Sequence, residues 1–299
     1  MRVPDCICRD VSLARYSTLC IGGRADYFTE TIDPALTADA QLVEACEFAR
    51  DNNLDIFTLG QGSNVLFGDA GFRGLVLHIA ANGWISWRDG QLWVDAGSYV
   101  STLVNLGVSS GLTGFESFAG LPGTVGGAVY GNAGCYGAEF WDMVEEVIFF
   151  DGVYVQNKTK DPDMFRYRWS LLKDNPQWII LAARLAVRPE SKDVVAQKTR
   201  KTRQVRSSNQ PKTRSAGCIF KNPVLGGERV SAGALIDRVG LKGAQVGRAM
   251  ISEEHGNFFV NLGGATAADF IKLIALAKGR VLGEYGVLLE EEIVEVGEF

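Results

Sequence analysis

Histidine is almost missing from this chain. Two occur in 299 residues, His78 and His255. A Cys–His nucleophile pair is not thereby excluded, but nothing in the spacing supports one. Six cysteines stand at 6, 8, 20, 46, 135 and 218. No pair has the C-x-x-C spacing, and they are too dispersed for a zinc cluster, so no metal is expected. In a reducing cytosol disulfides are not expected either. No apolar run reaches the length of a membrane span. The opening "MRVPDCICRD" has no apolar segment of the secretory type. A cytoplasmic protein without a membrane partner is the expectation. Positive charge is not in excess, since the formal net charge is −5. That argues against a nucleic-acid-binding surface. No internal repeat, low-complexity segment or obligate protein partner is evident.

Glycine, by contrast, is abundant, with 35 residues. Much of it falls in "GLTGFESFAGLPGTVGGAVYGNAGCYG", 111–137. Phe, Leu, Val and Tyr are interleaved, so the stretch is not a flexible linker. Glycine at this density allows close backbone approach and positive φ. A folded loop packed against a ligand is the expectation.

The rest reads as α+β. "ADAQLVEACEFARDNN" predicts a helix, with Leu42, Cys46 and Ala49 at helical spacing. "LDIFTLG" and "LVLHIA" read as strands. Hairpins are expected at Asp89-Gly90 and at Asp151-Gly152. "WIILAARLAV" reads as a buried strand. The basic segment from Ser191 reads as a helix and then a loop. A short helix ("AGALIDRVG"), a strand ("NFFVNLG") and a long helix follow, the last capped by Thr266 and Asp269. "VLLEEEIVEVG" reads as a closing strand, with Glu290 and Glu292 on one face and Glu291 on the other. The chain length allows two or more domains. The composition shift near Pro189 places a boundary there, giving 1–188, with a split near 78, and 189–299.

"LGQGSNVLFGD" follows a strand with Gly60, Gly62, Ser63 and Asn64. Such turns expose backbone N–H groups that hold phosphate, although a plain tight turn fits equally. It lacks the third glycine of a dinucleotide fingerprint and the Gly-Lys-Ser/Thr of a P-loop. Two glycine-rich loops of this kind, at 60–68 and 120–137, suggest a long diphosphate ligand such as a dinucleotide or flavin. "FRYRWS" offers Arg166 and Arg168, surface groups or bidentate partners of a carboxylate. Cys218 in "SAGCIFKNP" reads as a small buried hydrophobe or as a group presented to substrate.

These pieces together resemble the bacterial UDP-N-acetylenolpyruvoylglucosamine reductases. The matching motifs are "YSTLCIGGRADYF", "LGQGSNVLFGDAGFRGLVL", the glycine-rich stretch, "YRWS", "SAGCIFKNP", "LIDRVGLKGAQVGRAMISEEHGNFFVN" and "GVLLEEEIVEV". They occur in the family's order from about Tyr16 onward. The resemblance implies a two-subdomain FAD-binding region of the vanillyl-alcohol-oxidase type, then an α+β substrate domain. It implies FAD as cofactor, NADPH as reductant and a UDP-sugar as substrate, in peptidoglycan precursor synthesis. FAD would contact Gly60, Gly62, Ser63, Asn64, Gly120, Pro122, Gly123, Thr124, Gly126, Gly127, Asn132 and Gly134. The family's catalytic Arg, proton donor and Glu fall on Arg168, Cys218 and Glu292. Tyr167 and Asn222 become substrate contacts. Arg206 and Lys212 join them by approximate spacing, where a solvated basic surface fits equally.

Three departures from the family pattern matter. Close members carry Ser where this chain has Cys218. Gly131 replaces a common Met. The interval from Arg168 to Cys218 is short, implying a form without the extra loop that covers substrate. To donate a proton, Cys218 must keep it at neutral pH, as a reference thiol with pKa near ~8.5 does. Two alternatives stay open at this point. One is another FAD oxidase or dehydrogenase of the same fold, and the other is a non-enzymatic flavin-binding module.

Overall fold

The computed structural model describes residues 2–31, 40–80, 84–88 and 91–299. The chain forms two compact units. One comprises 1–9, 27–61 and 74–206, the other 10–26, 62–73 and 207–299. The chain passes between them inside three strands, Cys8–Ser12, Arg24–Thr31 and Phe72–Ile79.

The first unit holds a five-stranded antiparallel sheet. Its order is Val155–Thr159, Val144–Phe150, Ile179–Leu185, Gln91–Asp95 and Ile85–Arg88. Ile179–Leu185 is its buried centre, as the unbroken apolar run predicts. Phe150 pairs with Val155, so the hairpin turns over 151–154 as expected. Asp151 closes that turn, its Oδ1 accepting from the N–H groups of Val153 and Tyr154. Ile85–Arg88 and Gln91–Asp95 pair as the other expected hairpin, whose Asp89-Gly90 turn lies outside the described residues. Helix α1 (Ala40–Asp51) buries Leu42, Cys46 and Ala49, the stripe read from the sequence. Cys46 behaves as the small hydrophobe of this set, and burial pushes its thiol up to about 12.

Helix α2 (Val100–Ser110) and helix α3 (Val125–Gly131) pack into the same core, beside Trp141 and Leu181. Helix α3 is unexpected, because it lies inside the stretch read as a glycine-rich loop. Glycine weakens a helix interior, but two features offset this. Thr124 caps the first turn by accepting from the Gly127 N–H, and Val125, Ala128 and Val129 are buried along one face. Helix α4 (Lys192–Asn209) follows Pro189, and the first compact unit runs on through it to Arg206 rather than ending near Pro189.

The second unit holds an antiparallel sheet ordered Ser215–Cys218, Phe258–Asn261, Ala249–Ile251 and Gln245–Val246. Helix α5 (Ala232–Arg238) and helix α6 (Ala267–Tyr285) bury Leu235, Ile236, Phe270, Leu273 and Ile274 among the residues of its core. The Thr266/Asp269 capping box starts α6 as expected. Asn261, almost fully buried, ties the loops together. Its Nδ2 donates to Leu19 O, and its Oδ1 accepts from the Gly263 and Ala265 N–H groups. Asn261→Ala leaves these groups unpaired and should cost about 2–3 kcal/mol, read as a lower urea midpoint of unfolding.

The chain's last strand departs from the sequence expectation. Only Val294–Val296 is strand, and it pairs in parallel with Val65–Phe67. The N–H groups of Glu292 and Ile293 both aim at Ile219 O, at 2.7 and 3.3 Å. One carbonyl serving two consecutive donors breaks the alternation of a ladder. The break falls after Glu292, since Glu291 still makes an isolated antiparallel bridge to Phe220.

Candidate active site

In the first unit the two glycine-rich loops meet. A Cβ on Gly60 would lie 2.5 Å from Thr124 Oγ1, so the glycine leaves the space that the Thr124 side chain fills. Gln61 accepts the Gly123 N–H on its Oε1 at 2.5 Å. Gly120, Pro122 and Gly127 are exposed, while Thr124 and Gly126 are buried. The result is a bare, folded backbone surface of the kind a flat ring system and a diphosphate require. Arg206 of α4 braces it. Its Nε donates to Ala119 O at 3.0 Å, its Cδ packs against Gly120, and its guanidinium lies 5.3 Å from the Tyr136 ring centroid.

The other end of α3 holds the arginine. Phe165–Arg166 and Trp169–Ser170 form a hairpin whose two-residue turn is Tyr167-Arg168. Arg168 has φ +56°, a conformation sparsely used outside glycine. Four contacts hold it. Its Nη2 donates to Gly134 O at 2.8 Å, and Lys173 Nζ donates to Arg168 O at 2.9 Å. Ser170 Oγ donates to Tyr130 O, and Asn132 Nδ2 donates to Arg166 O. The Arg168 guanidinium also stands 5.0 Å from the Tyr167 ring centroid. Backbone strain over-determined in this way is a mark of functional sites.

Asn132, expected to contact the cofactor, has its side-chain amide engaged within the protein. It is fully buried at the C-terminal cap of α3. Its Nδ2 also donates to Glu139 at 2.8 Å, and its Oδ1 accepts from the Trp141 N–H. Nearby, burial raises the Cys135 thiol pKa, with Arg206 and Arg168 acting against the rise.

The second unit brings Gly62, Cys218 and Glu292 onto one framework. Gly62 has φ +64°, and a Cβ there would lie 1.9 Å from Tyr16 O, so only glycine fits. Thr18 takes Gly62 O with its N–H at 3.1 Å and Ser215 O with its hydroxyl at 2.8 Å. Between Ser215 and Cys218 the pairing with Phe258–Asn261 slips by one residue. Gly217, at φ +75°, absorbs the bulge. A bulge re-aims the next side chain, and that side chain is Cys218, which is half-buried.

Ile219 follows, and its carbonyl receives Glu292. Asn257 secures this strand by accepting from the Phe220 N–H and donating to Phe220 O. Glu290 and Glu291, which precede Glu292, pair with Lys221 at 3.2 Å and Lys278 at 2.5 Å. Asn222 turns its Oδ1 to the Ala232 N–H at the start of α5. Lys212 lies exposed before the strand, and Ser63 is half-buried beside Asn64. Sequence reasoning missed Thr18, Ser170 and Asn257, since each acts through backbone partners far along the chain.

Comparisons with known proteins bear on the family of the chain. Residues 210–296 match the family described as UDP-N-acetylenolpyruvoylglucosamine reductase, C-terminal domain, and residues 35–152 match the FAD binding domain family. The chain is 37% identical over 291 residues to the UDP-N-acetylenolpyruvoylglucosamine reductase of Rubrobacter xylanophilus, covering 97% of this chain and 95% of the relative. It is 37% identical to that of Chlamydia trachomatis, covering 97% and 96%. The crystal structure of the reductase from Thermus caldophilus superposes with a TM-score of 0.80 at 37% identity, covering 96% of this chain and 98% of the other. This chain therefore belongs to the UDP-N-acetylenolpyruvoylglucosamine reductases, a family of FAD-dependent oxidoreductases of α+β fold.

Proposed function

We propose that this protein uses NADPH to reduce UDP-N-acetylglucosamine enolpyruvate to UDP-N-acetylmuramate, with Cys218 as the proton donor. The work belongs to peptidoglycan precursor synthesis in the bacterial cytoplasm. The observation that carries the reading is the hydrogen bond from the Glu292 N–H to Ile219 O. It ties the candidate acid to the residue next to the candidate donor.

The bare backbone around Gly60, Gly120, Gly123 and Gly127 fits FAD, with Gly62, Ser63 and Asn64 continuing the same loop. FAD held there would supply hydride-transfer chemistry, with NADPH as its reductant. Everything else falls to the chain's own side chains. Arg168 clamps the substrate carboxylate, where negative charge collects as the adjoining carbon becomes enolate-like. Its anchored guanidinium needs no reorganisation during the reaction. Glu292, as the neutral acid, donates a hydrogen bond to the same developing charge. Cys218 holds a proton until that carbon is basic, then gives it up. Tyr167, Asn222, Arg206 and Lys212 are the proposed contacts to the rest of the UDP-sugar, and the proposed functional division into 1–188 for FAD and 189–299 for substrate differs from the two compact units, the first of which runs on to Arg206.

The short-form reading has support of its own. From Arg168 to Cys218 the chain runs through Trp169–Ser170, Leu171–Asp174, Ile179–Leu185, Arg188–Pro189 and α4. No long insertion interrupts these elements. Among the described residues no helix is long and apolar enough to cross a membrane, and no group of three or more His, Cys, Asp or Glu could hold a metal ion.

The test is steady-state. The purified protein should carry FAD and consume NADPH in proportion to added UDP-N-acetylglucosamine enolpyruvate. NADPH consumption that depends on oxygen and ignores the enolpyruvyl substrate would instead favour an oxidase of the same fold.

A further inference from the structure

The sequence motif marks Asn64 as a cofactor contact, yet its side chain is spent elsewhere. Asn64 immediately precedes the strand Val65–Phe67, which pairs in parallel with Val294–Val296. Its backbone O accepts the Val294 N–H at 3.0 Å. Its Nδ2 reaches past that pairing to donate to Glu292 O at 2.9 Å. Glu292 is thus held on both of its peptide groups. Its N–H is on Ile219 O at 2.7 Å, and its C=O is on the Asn64 amide.

This double hold compensates for a local weakness. The segment before Val294 is not a continuous strand, and its one regular pairing is the isolated antiparallel bridge of Glu291 with Phe220, which stops short of Glu292. The two hydrogen bonds take the ladder's place. One comes from the strand that bears Cys218. The other comes from the end of the glycine-rich turn containing Gly62 and Ser63. The turn expected to bind the cofactor therefore also sets the position of the acid.

We infer that Asn64 is a positioning residue for Glu292, acting on the step that uses Glu292 rather than on flavin reduction. The inference rests on the reaction proposed above. Loss of the amide leaves Glu292 O without its donor and frees the peptide to rotate. The hydrogen bond between Asn64 O and the Val294 N–H is a backbone one. It survives substitution, so the strand pairing and the fold should persist.

The two half-reactions separate this role from cofactor binding. With oxygen excluded, Asn64→Ala and Asn64→Ser are mixed first with NADPH and then, once reduced, with UDP-N-acetylglucosamine enolpyruvate. The second rate should fall about 10- to 100-fold further than the first for Asn64→Ala, and by a similar factor for Asn64→Ser, whose hydroxyl stops one bond short of the amide nitrogen and does not reach Glu292 O. Placed on a Glu292→Gln background, Asn64→Ala should cost less than about threefold more, since a residue acting through another loses its effect when that other is gone. Equal losses in both half-reactions, loss of FAD in both variants, or an undiminished loss on the Glu292→Gln background would each overturn the role. A wild-type protein that the enolpyruvyl substrate fails to reoxidise gives a different result, which removes the reaction itself and this role with it.

Discussion

Cys218→Ala should lower turnover of the enolpyruvyl substrate about a thousandfold while the protein still accepts reducing equivalents from NADPH, and Cys218→Ser should stay within about tenfold of the wild type. The asymmetry follows from the chemistry. Ala has no proton to give, whereas Ser presents an O–H of similar size at the same place. Geometry supports a specific placement rather than chance exposure. Cys218 ends a strand that bulges by one residue, and Gly217 takes the positive φ this requires. The strand is held beyond Cys218 by Asn257, which pairs with both backbone groups of Phe220. Neither small substitution disturbs these bonds, so the effect should be chemical. Rapid-mixing measurement of both half-reactions in each variant checks it. A thiol is a far better acid than an alcohol. Peroxide should therefore inactivate the wild type, by oxidation of that thiol, and spare Cys218→Ser.

Arg168→Lys should reduce turnover about 100- to 1000-fold with little change in thermal stability. Lysine keeps the charge and the unfavourable φ equally, so the folded state gains and loses little from the backbone. What it loses is the fork. Arg168 can give one arm to Gly134 O and still present the in-plane N–H groups of its edge to a carboxylate, whereas lysine is a compact point charge. The hairpin would remain anchored through Asn132 to Arg166 O and Ser170 to Tyr130 O. The loss should therefore appear in kcat/KM for the enolpyruvyl substrate and not in FAD content. A near-wild-type rate would make Arg168 a structural plug for Gly134.

Local signals carried far in this chain. The Thr266/Asp269 box, the Asp151 turn and the apolar run over Ile179–Leu185 each reflect forces acting within a few residues, and each appears where the pattern places it. Helix α3 was hidden because glycine disguises a helix whose stability comes from its cap and its buried face. The irregular approach to Val294 was hidden because it depends on Ile219 O, which lies more than seventy residues away. The same holds for the site. Motifs mark Arg168, Cys218 and Glu292, but not what aims them. Asn64 reaches Glu292 across 228 positions, and Asn132 reaches Arg166 across 34. The two asparagines sit in loops read as cofactor contacts, so their amides serve a purpose that composition and spacing do not reveal.

Reduced flavin in this protein is expected to be reoxidised by the enolpyruvyl ether and not mainly by oxygen. The direct measurement is a single turnover under strict exclusion of oxygen. The NADPH-reduced protein is mixed with UDP-N-acetylglucosamine enolpyruvate, flavin absorbance is followed, and the sugar nucleotide is analysed afterwards. Full recovery of oxidised flavin with one equivalent of UDP-N-acetylmuramate per FAD is the predicted result. Flavin that stays reduced until air is admitted would contradict the account.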